Sequence, residues 1–254
     1  MVARLIAVCL AVSALPALAF DHAHAAWDAL LKRHVVVLHE GRASQLRYTG
    51  LAKERAALQA YLASLSGVSR AEFDAWTKNE RKAFLINAYN AFTAEKILTR
   101  YPDIRSIWDF GRIFGNPFKD PFFALLGQRM TLDGIEHDTL RRPGAYDDAR
   151  IHYAVNCASV GCPMLREEAY VAARLEAQLD EQERRFLSDR TRNRFRDGRL
   201  EVSKIFDWFK EDFVPREQYF ARRAQLLGYA GATVPVSFLD YDWSLNDSPS
   251  SSPR

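Results

Sequence analysis

Two stretches near the start of the chain carry apolar residues at helical spacing. The first lies within residues 27–34 and the second within residues 51–65. Side chains three and four positions apart share one face of an α-helix, so this pattern buries one face and leaves the other polar. We therefore predict two amphipathic helices that pack against a core.

A third stretch, residues 83–98, is apolar on every face of a helix. Thr77 and Glu80 precede it in the arrangement of a capping box, in which each residue satisfies a backbone N–H at the start of a helix. A helix that is apolar all round is surrounded by protein. It also carries the amides Asn87 and Asn90 on one side, and buried amides need hydrogen-bond partners. We predict a buried central helix, with both amides as candidate binding residues.

The rest of the pattern mixes short strands and helices without a regular βαβ rhythm. Residues 110–123, rich in Gly, Pro and Phe, are too long for a simple connection and are predicted to form a loop over a site. The other predicted elements are a hairpin at 130–135, a helical run at 138–142, strands at 151–155, 200–202 and 236–241, and helices at 168–187, 206–213 and 217–227. This pattern predicts an α+β fold: a single compact, helix-rich domain with a small mixed or antiparallel sheet around the buried central helix.

The first residues have the pattern of a secretory signal peptide. Arg4 precedes an apolar run over residues 5–15, and residues 17–19 have the small-residue pattern that signal peptidase cleaves. The run is shorter than the ~20 residues that a membrane-crossing helix needs. We predict that residues 1–19 are removed, that Phe20 becomes the N-terminus, and that the mature protein is periplasmic or secreted without a membrane span.

Composition sets the remaining boundaries and narrows the classes of partner. The Ser- and Pro-rich residues 244–254 are predicted to be disordered, which leaves residues 20–243 as one globular domain. The chain is 48% hydrophobic, which excludes a disordered protein. Without Arg4 it has 34 basic and 32 acidic residues, so no nucleic-acid partner is expected. We predict no cofactor, and we expect the partner to be a small molecule or an envelope component.

Candidate chemistry concentrates in residues 150–163. On the predicted strand, His152 and Asn156 share one face, and Cys157 follows where the strand must end. A direct pair of His152 with Cys157 would then require a turn at that point. This geometry favours His137 as the partner of Cys157.

A cysteine nucleophile requires a group that lowers the thiol pKa from about 8.5, and a second group that holds the imidazole in place. Cys157 would be the nucleophile, with His137 as the preferred general base and His152 as the alternate. The three candidates for holding the imidazole are Glu136, Asn156 and Asn87. Backbone N–H groups of residues 158–161, around Ser159, would supply an oxyanion hole. Our leading interpretation is an exported, cysteine-dependent hydrolase or acyl transferase, with Trp208 as a candidate pocket wall.

Two alternatives use the same residues differently. A disulfide between Cys157 and Cys162 would pin a turn, because exported proteins keep cysteine pairs oxidised. The protein would then be a non-catalytic, disulfide-stabilised binding or accessory protein. Alternatively, the two cysteines would form a redox pair, or a metal site together with His137, His152 and Glu136, although a C-x4-C spacing is not a strong zinc pattern.

Four segments of the chain resemble the family known as domain of unknown function 547. They are residues 83–91, residues 135–141, residues 150–163 and residues 202–209, in the order of the family, and the resemblance extends over about residues 50–215. It implies a domain shared by exported bacterial proteins and plant proteins, with no established reaction. The family-like positions are Asn87, Asn90, Glu136, His137, His152, Asn156, Cys157 and Cys162.

Overall fold

The central helix of the computed structural model spans Lys78–Leu98 and is buried on all sides after its first turn. Thr77 caps it, and the side chain of Glu80 accepts from the Thr77 backbone N–H, so the predicted capping box is confirmed. The structure describes residues 19–111, 115–231 and 233–248. The predicted signal peptide therefore lies outside the described residues, except for Ala19.

Helices form most of the regular structure, as predicted. The α-helices of the described residues span Ala25–His34, Tyr48–Lys53, Arg55–Gly67, Arg70–Ala75, Lys78–Leu98, Leu132–Ile135, Leu175–Leu187, Ile205–Trp208, Arg216–Arg222 and Ala224–Leu227, with a π-helix at Glu136–Leu140. Short 3₁₀ segments lie at His39–Gly41, Ile107–Phe110, Pro117–Lys119, Ala149–Tyr153, Ala172–Arg174 and Lys210–Phe213. None of the described helices combines the length and the apolarity that crossing a membrane requires.

The strands form small separate sheets around the helices, which confirms the α+β class. Val35–Leu38 pairs with Ala43–Leu46, and Phe123–Leu125 pairs with Gln128–Met130, both antiparallel. A mixed sheet joins Arg194–Arg196, Arg199–Val202 and Val236–Phe238, and its last pair is parallel. We expected one small sheet, whereas the described strands are divided among three.

Two hydrophobic clusters form the interior. The larger one surrounds the central helix. The smaller one is built from aromatic side chains that include Tyr153, Phe186, Phe206, Phe213 and Phe220. Side chains interlock closely within each cluster, and gaps are more easily left where two clusters meet. We therefore expect a binding cavity at their junction.

The predicted strand at residues 151–155 is wrong, because the chain forms a 3₁₀ helix at Ala149–Tyr153. The Asp148 side chain accepts from the Arg150 N–H and starts this helix. The following backbone is bonded by the central helix, since Asn90 donates to the Ala154 carbonyl and accepts from the Asn156 N–H. The buried Asn90 side chain therefore makes the backbone hydrogen bonds that a neighbouring strand would otherwise make. The alternation of faces that we derived for His152 and Asn156 does not apply.

Other element boundaries also differ from prediction. The hairpin lies at residues 123–130 and not at 130–135, because Leu126 and Gly127 adopt the positive φ values of its turn and Thr131 caps the next helix. The helix predicted at 168–187 begins only at Leu175, after a 3₁₀ turn. The last strand ends at Phe238. Turn conformations and helix caps set these boundaries, and the spacing of hydrophobic residues does not predict them.

Residues 244–248 are ordered, contrary to the predicted tail. Leu245 forms a bridge with Ser159, and Asp247 forms one with Leu46. Asn246 is buried between them and donates to the Asn156 side chain. The polar groups of this segment therefore form hydrogen bonds inside the fold. The remainder of the predicted tail, residues 249–254, lies outside the described residues.

Candidate functional site

A cavity of about 450 Å³ is lined by residues of both hydrophobic clusters. This volume lies within the range of about 300–1,000 Å³ that is typical of small-molecule sites. Its aromatic lining includes Tyr89, Trp108, Trp208, Phe209, Tyr241 and Trp243. Its acidic and imidazole side chains are Asp133, Glu136, His137 and His152. The cavity thus joins an aromatic wall to a group of titratable side chains.

His152 is held between two carboxylates. Its Nε2 lies 2.6 Å from Asp212 Oδ2, and its Nδ1 lies 3.7 Å from Glu136 Oε1. The Phe209 ring stacks on the imidazole, with 4.1 Å between the ring centroids. At 3.7 Å the contact with Glu136 is too long for a hydrogen bond, and the buried Nδ1 has no hydrogen-bond partner among the described residues. The contacts with Asp212 and Phe209 therefore fix the orientation of the ring.

The two carboxylates set the charge of this group. Burial alone lowers the pKa of His152, but Asp212 and Glu136 outweigh burial and raise that pKa. Burial raises the pKa of Glu136, but the neighbouring His152 imidazole outweighs it and lowers that pKa. For Asp212, burial also acts upward, but hydrogen bonds from His152 and Arg141 lower the pKa to about 2. The arrangement favours an imidazolium flanked by two ionised carboxylates.

His137, the preferred base of our sequence interpretation, has other partners. Arg141 Nη1 donates to its Nδ1 over 2.6 Å, and its Nε2 lies 3.7 Å from Asp133 Oδ1. Arg141 also donates to Asp212 over 2.6 Å, so it connects His137 with the His152 group. Burial raises the pKa of Asp133. The two histidines therefore belong to one charged network at the edge of the cavity.

Cys157 and Cys162 form a disulfide in the wall of the same cavity, with an S–S distance of 2.01 Å. This is the pairing that we predicted as the alternative to a free thiol. The Tyr241 hydroxyl lies 3.2 Å from each sulfur, and the Ser159 hydroxyl lies 3.2 Å from Cys157 Sγ. Both sulfurs are bonded, so the set of metal ligands that we considered has no free thiolate here.

The predicted oxyanion hole at residues 158–161 is not formed. The backbone N–H groups of Ala158, Val160 and Gly161 donate to Asn156 Oδ1, the Ser244 carbonyl and the Asp242 carbonyl. Asn156 also donates to the Pro163 carbonyl, so its side chain bridges the two ends of the disulfide loop. Ala158 has a φ of 61°, and the bond from its N–H to Asn156 supports this conformation. These bonds give Asn156 a structural part in the loop.

The two amides of the central helix bind different segments. Asn90 bonds both Ala154 and Asn156, which stand between His152 and Cys157 in the chain. Asn87 bonds the backbone N–H and carbonyl of Tyr170, away from the cavity lining. The fold thus brings Glu136, His137, His152, Cys157, Cys162 and Trp208 to the cavity. Asn90, Asn156 and Ser159 lie behind its wall, and Asn87 supports another part of the fold.

Several residues of the aromatic wall and of the charged network were missed from the sequence. Asp212 and Arg141 complete the network around His152, but they are far apart in the chain and no spacing connects them. Trp108 and Trp243 belong to the aromatic wall. Their only signal was the concentration of Trp and Tyr near Trp208 and at residues 241–243, which is equally typical of a core.

A disulfide-containing α+β protein with an aromatic, charge-lined cavity is the class that the fold and the site define. Residues 73–187 match the family model described as Protein of unknown function, DUF547, which confirms the predicted resemblance. No curated protein and no solved structure matches the chain significantly. The matched segment contains Glu136, His152 and both cysteines, whereas Trp208 and Asp212 lie beyond it.

Proposed function

We propose that the chain is an exported, disulfide-stabilised protein that binds a small molecule in its aromatic cavity. The observation that carries this proposal is the composition of the cavity wall, where the disulfide lies beside closely packed Trp and Tyr rings. Rigid aromatic side chains offer large contact areas at low entropic cost. A cross-link between Cys157 and Cys162 holds one wall of such a cavity in a fixed position.

The polar residues support binding better than nucleophilic attack in the oxidised protein. A disulfide sulfur is not a thiolate, and the thiolate is the nucleophile of cysteine enzymes. Among the described residues, the hydroxyl groups that contact the sulfurs belong to Ser159 and Tyr241, and no hydrogen bond joins either histidine to a sulfur. The two histidines are therefore arranged to present fixed charges and hydrogen-bonding atoms to a ligand.

Export is part of the same proposal. The N-terminal pattern of a cleavable signal supports it, and the oxidising conditions outside the cytoplasm favour the disulfide. Phe20, the expected first residue, packs against Trp76 and Phe84 with centroid distances of 5.3 Å. Intact-mass analysis of exported protein should give a chain that begins at Phe20, and a chain that keeps Met1 would contradict cleavage.

Thiol titration combined with a ligand screen tests the binding proposal. We expect no free thiol in native mature protein and two after denaturation and reduction. We expect the oxidised protein to bind small molecules with a change in tryptophan fluorescence, and binding to persist in the double variant Cys157→Ser/Cys162→Ser at temperatures where it is folded. Binding that requires a free Cys157 would refute the proposal.

A second candidate is the thiol-dependent hydrolase or acyl transferase of our sequence interpretation. It is favoured by the fact that Cys157 and His152 line one cavity. In this case, mild reduction should release a thiol that hydrolyses p-nitrophenyl acetate, and Cys157→Ser should abolish the activity while Cys162→Ser retains it. Equal rates in the two variants would exclude Cys157 as the nucleophile.

A further inference from the structure

We infer that the cavity binds a neutral oligosaccharide built of pyranose rings. This inference rests on the proposed binding function and adds the class of ligand. It is carried by the combination of exposed indole rings at the cavity and charged side chains beside them that are paired with one another. Pyranose rings have apolar C–H faces and hydroxyl edges, so they fit a site that joins these two features.

The aromatic side chains form a continuous wall with two exposed members. Trp208 stacks near Trp243 with 5.6 Å between centroids and an angle of 26°, and it lies 4.8 Å from Tyr241. Trp108 meets Trp243 edge to face at 5.3 Å. Trp208 and Trp108 are 41% and 38% exposed, whereas most large apolar side chains of the described residues are buried. Two exposed indoles that both pack against Trp243 at a cavity indicate a surface that a ligand covers.

The charges beside this wall favour an uncharged ligand. Asp212 is paired with both His152 and Arg141, and Glu136 lies beside His152. A cationic ligand would have to compete with these resident cations, and an anionic ligand would meet the carboxylates. Desolvating a charge without a new partner is unfavourable in either case. A ligand with hydroxyl groups requires only donors and acceptors.

The polar end of the cavity can supply such hydrogen bonds. Glu136 and Asp133 line it with carboxylate oxygens, and Asn116 adds an amide. His152 Nδ1 is buried, and no residue in the described part of the chain hydrogen-bonds to it. Carboxylate and amide groups accept from hydroxyl groups, and a ring stacked on Trp208 would present its edge hydroxyls to them. The geometry thus assigns the indoles to the faces of the sugar and the polar end of the cavity to its edges.

The test is a fluorescence and calorimetric titration of the full mature protein with its disulfide intact. The probes are triacetylchitotriose and maltotriose as neutral oligosaccharides, choline as a cation, and indole as a flat apolar ligand. We expect at least one trisaccharide to bind saturably and to change tryptophan fluorescence. Trp208→Ala should weaken that binding about tenfold, or by about 1.4 kcal/mol, because it removes the apolar surface on which a sugar ring stacks.

Phe195→Ala is the matched control, because Phe195 is also an exposed aromatic residue, at 39%, and lies outside the cavity. It should leave the affinity for the trisaccharide unchanged. Binding of choline or indole that is lost in Trp208→Ala, without binding of either trisaccharide, would overturn the oligosaccharide assignment and leave the binding function standing. A protein that binds none of these probes and no member of a broad small-molecule screen would overturn both.

Discussion

Replacing each amide of the central helix by alanine separates the support of the site from the support of the fold. Asn90 and Asn87 are both buried, lie on one helix and each make two bonds to backbone atoms. Asn90 bonds the segment between His152 and Cys157, at 2.9 and 2.8 Å. Asn87 bonds Tyr170 at 2.7 and 3.0 Å. The two substitutions are therefore matched in chemistry and differ in the segment that they release.

The expected loss of stability follows from the groups that each substitution leaves unpaired. Asn90→Ala removes the partners of the Ala154 carbonyl and the Asn156 N–H, and Asn87→Ala removes both partners of Tyr170. An unsatisfied buried group costs about 1–3 kcal/mol, so each substitution should reduce the free energy of unfolding by about 2–6 kcal/mol. Denaturation with urea, followed by circular dichroism, measures this loss.

The pKa of His152, measured by NMR titration at a temperature where both variants are folded, distinguishes them. Asn90→Ala should shift that pKa back toward 6.5, because the released segment no longer holds the imidazole against Asp212. Asn87→Ala should leave it unchanged. If Asn87→Ala shifted the pKa of His152 as far as Asn90→Ala does, or if Asn90→Ala cost less than about 1 kcal/mol, the reasoning would be refuted.

Further measurements address the core and the charged network. Ile86→Ala should cost about 2–5 kcal/mol in urea denaturation, because Ile86 is fully buried in the central helix, and a loss below about 1 kcal/mol would contradict that packing. The pKa of Asp212 is lowered from its usual 3.8 to about 2, so Asp212 contributes stability above pH 3.8 that is lost as the pH falls through about 2. Asp212 is partly exposed, and screening by solvent reduces this contribution to about 1 kcal/mol. Asp212→Asn should flatten this acid-side slope. The raised pKa of His152 contributes stability that is present below pH 6.5 and is lost as the pH rises through the folded-state pKa. His152→Gln should therefore remove this loss of stability at rising pH. An unchanged dependence of stability on pH in this variant would refute the raised pKa of His152.

The central helix shows what periodicity can predict. Its burial on every face, its capping box and the burial of both amides were all readable from residues 77–98, because a helix places side chains at a fixed angle whatever surrounds it. The α+β class and the family resemblance were predictable for a similar reason, since both depend on local patterns and short ordered motifs. The candidate residues Glu136, His152 and Cys157 line one cavity.

The partners of those residues depended on the tertiary structure. Residues 151–155 have the alternation of a strand, yet Asp148 caps a 3₁₀ helix at Ala149–Tyr153 and Asn90 binds the backbone that follows it. No local pattern reports a bond between residues more than sixty positions apart. The ordered segment at residues 244–248 is a similar case, because its polar side chains are satisfied only within the fold.

By itself, the sequence determined the helices that pack as a core, the class of the fold and the set of reactive side chains near Cys157. The tertiary structure decided what those side chains contact: Cys157 is bonded to Cys162, and His152 is bonded to Asp212 beneath Phe209. The physical reason is range. Helix periodicity arises within a few residues, whereas the pairing of charges and the stacking of rings depend on which distant segments the hydrophobic clusters bring into contact.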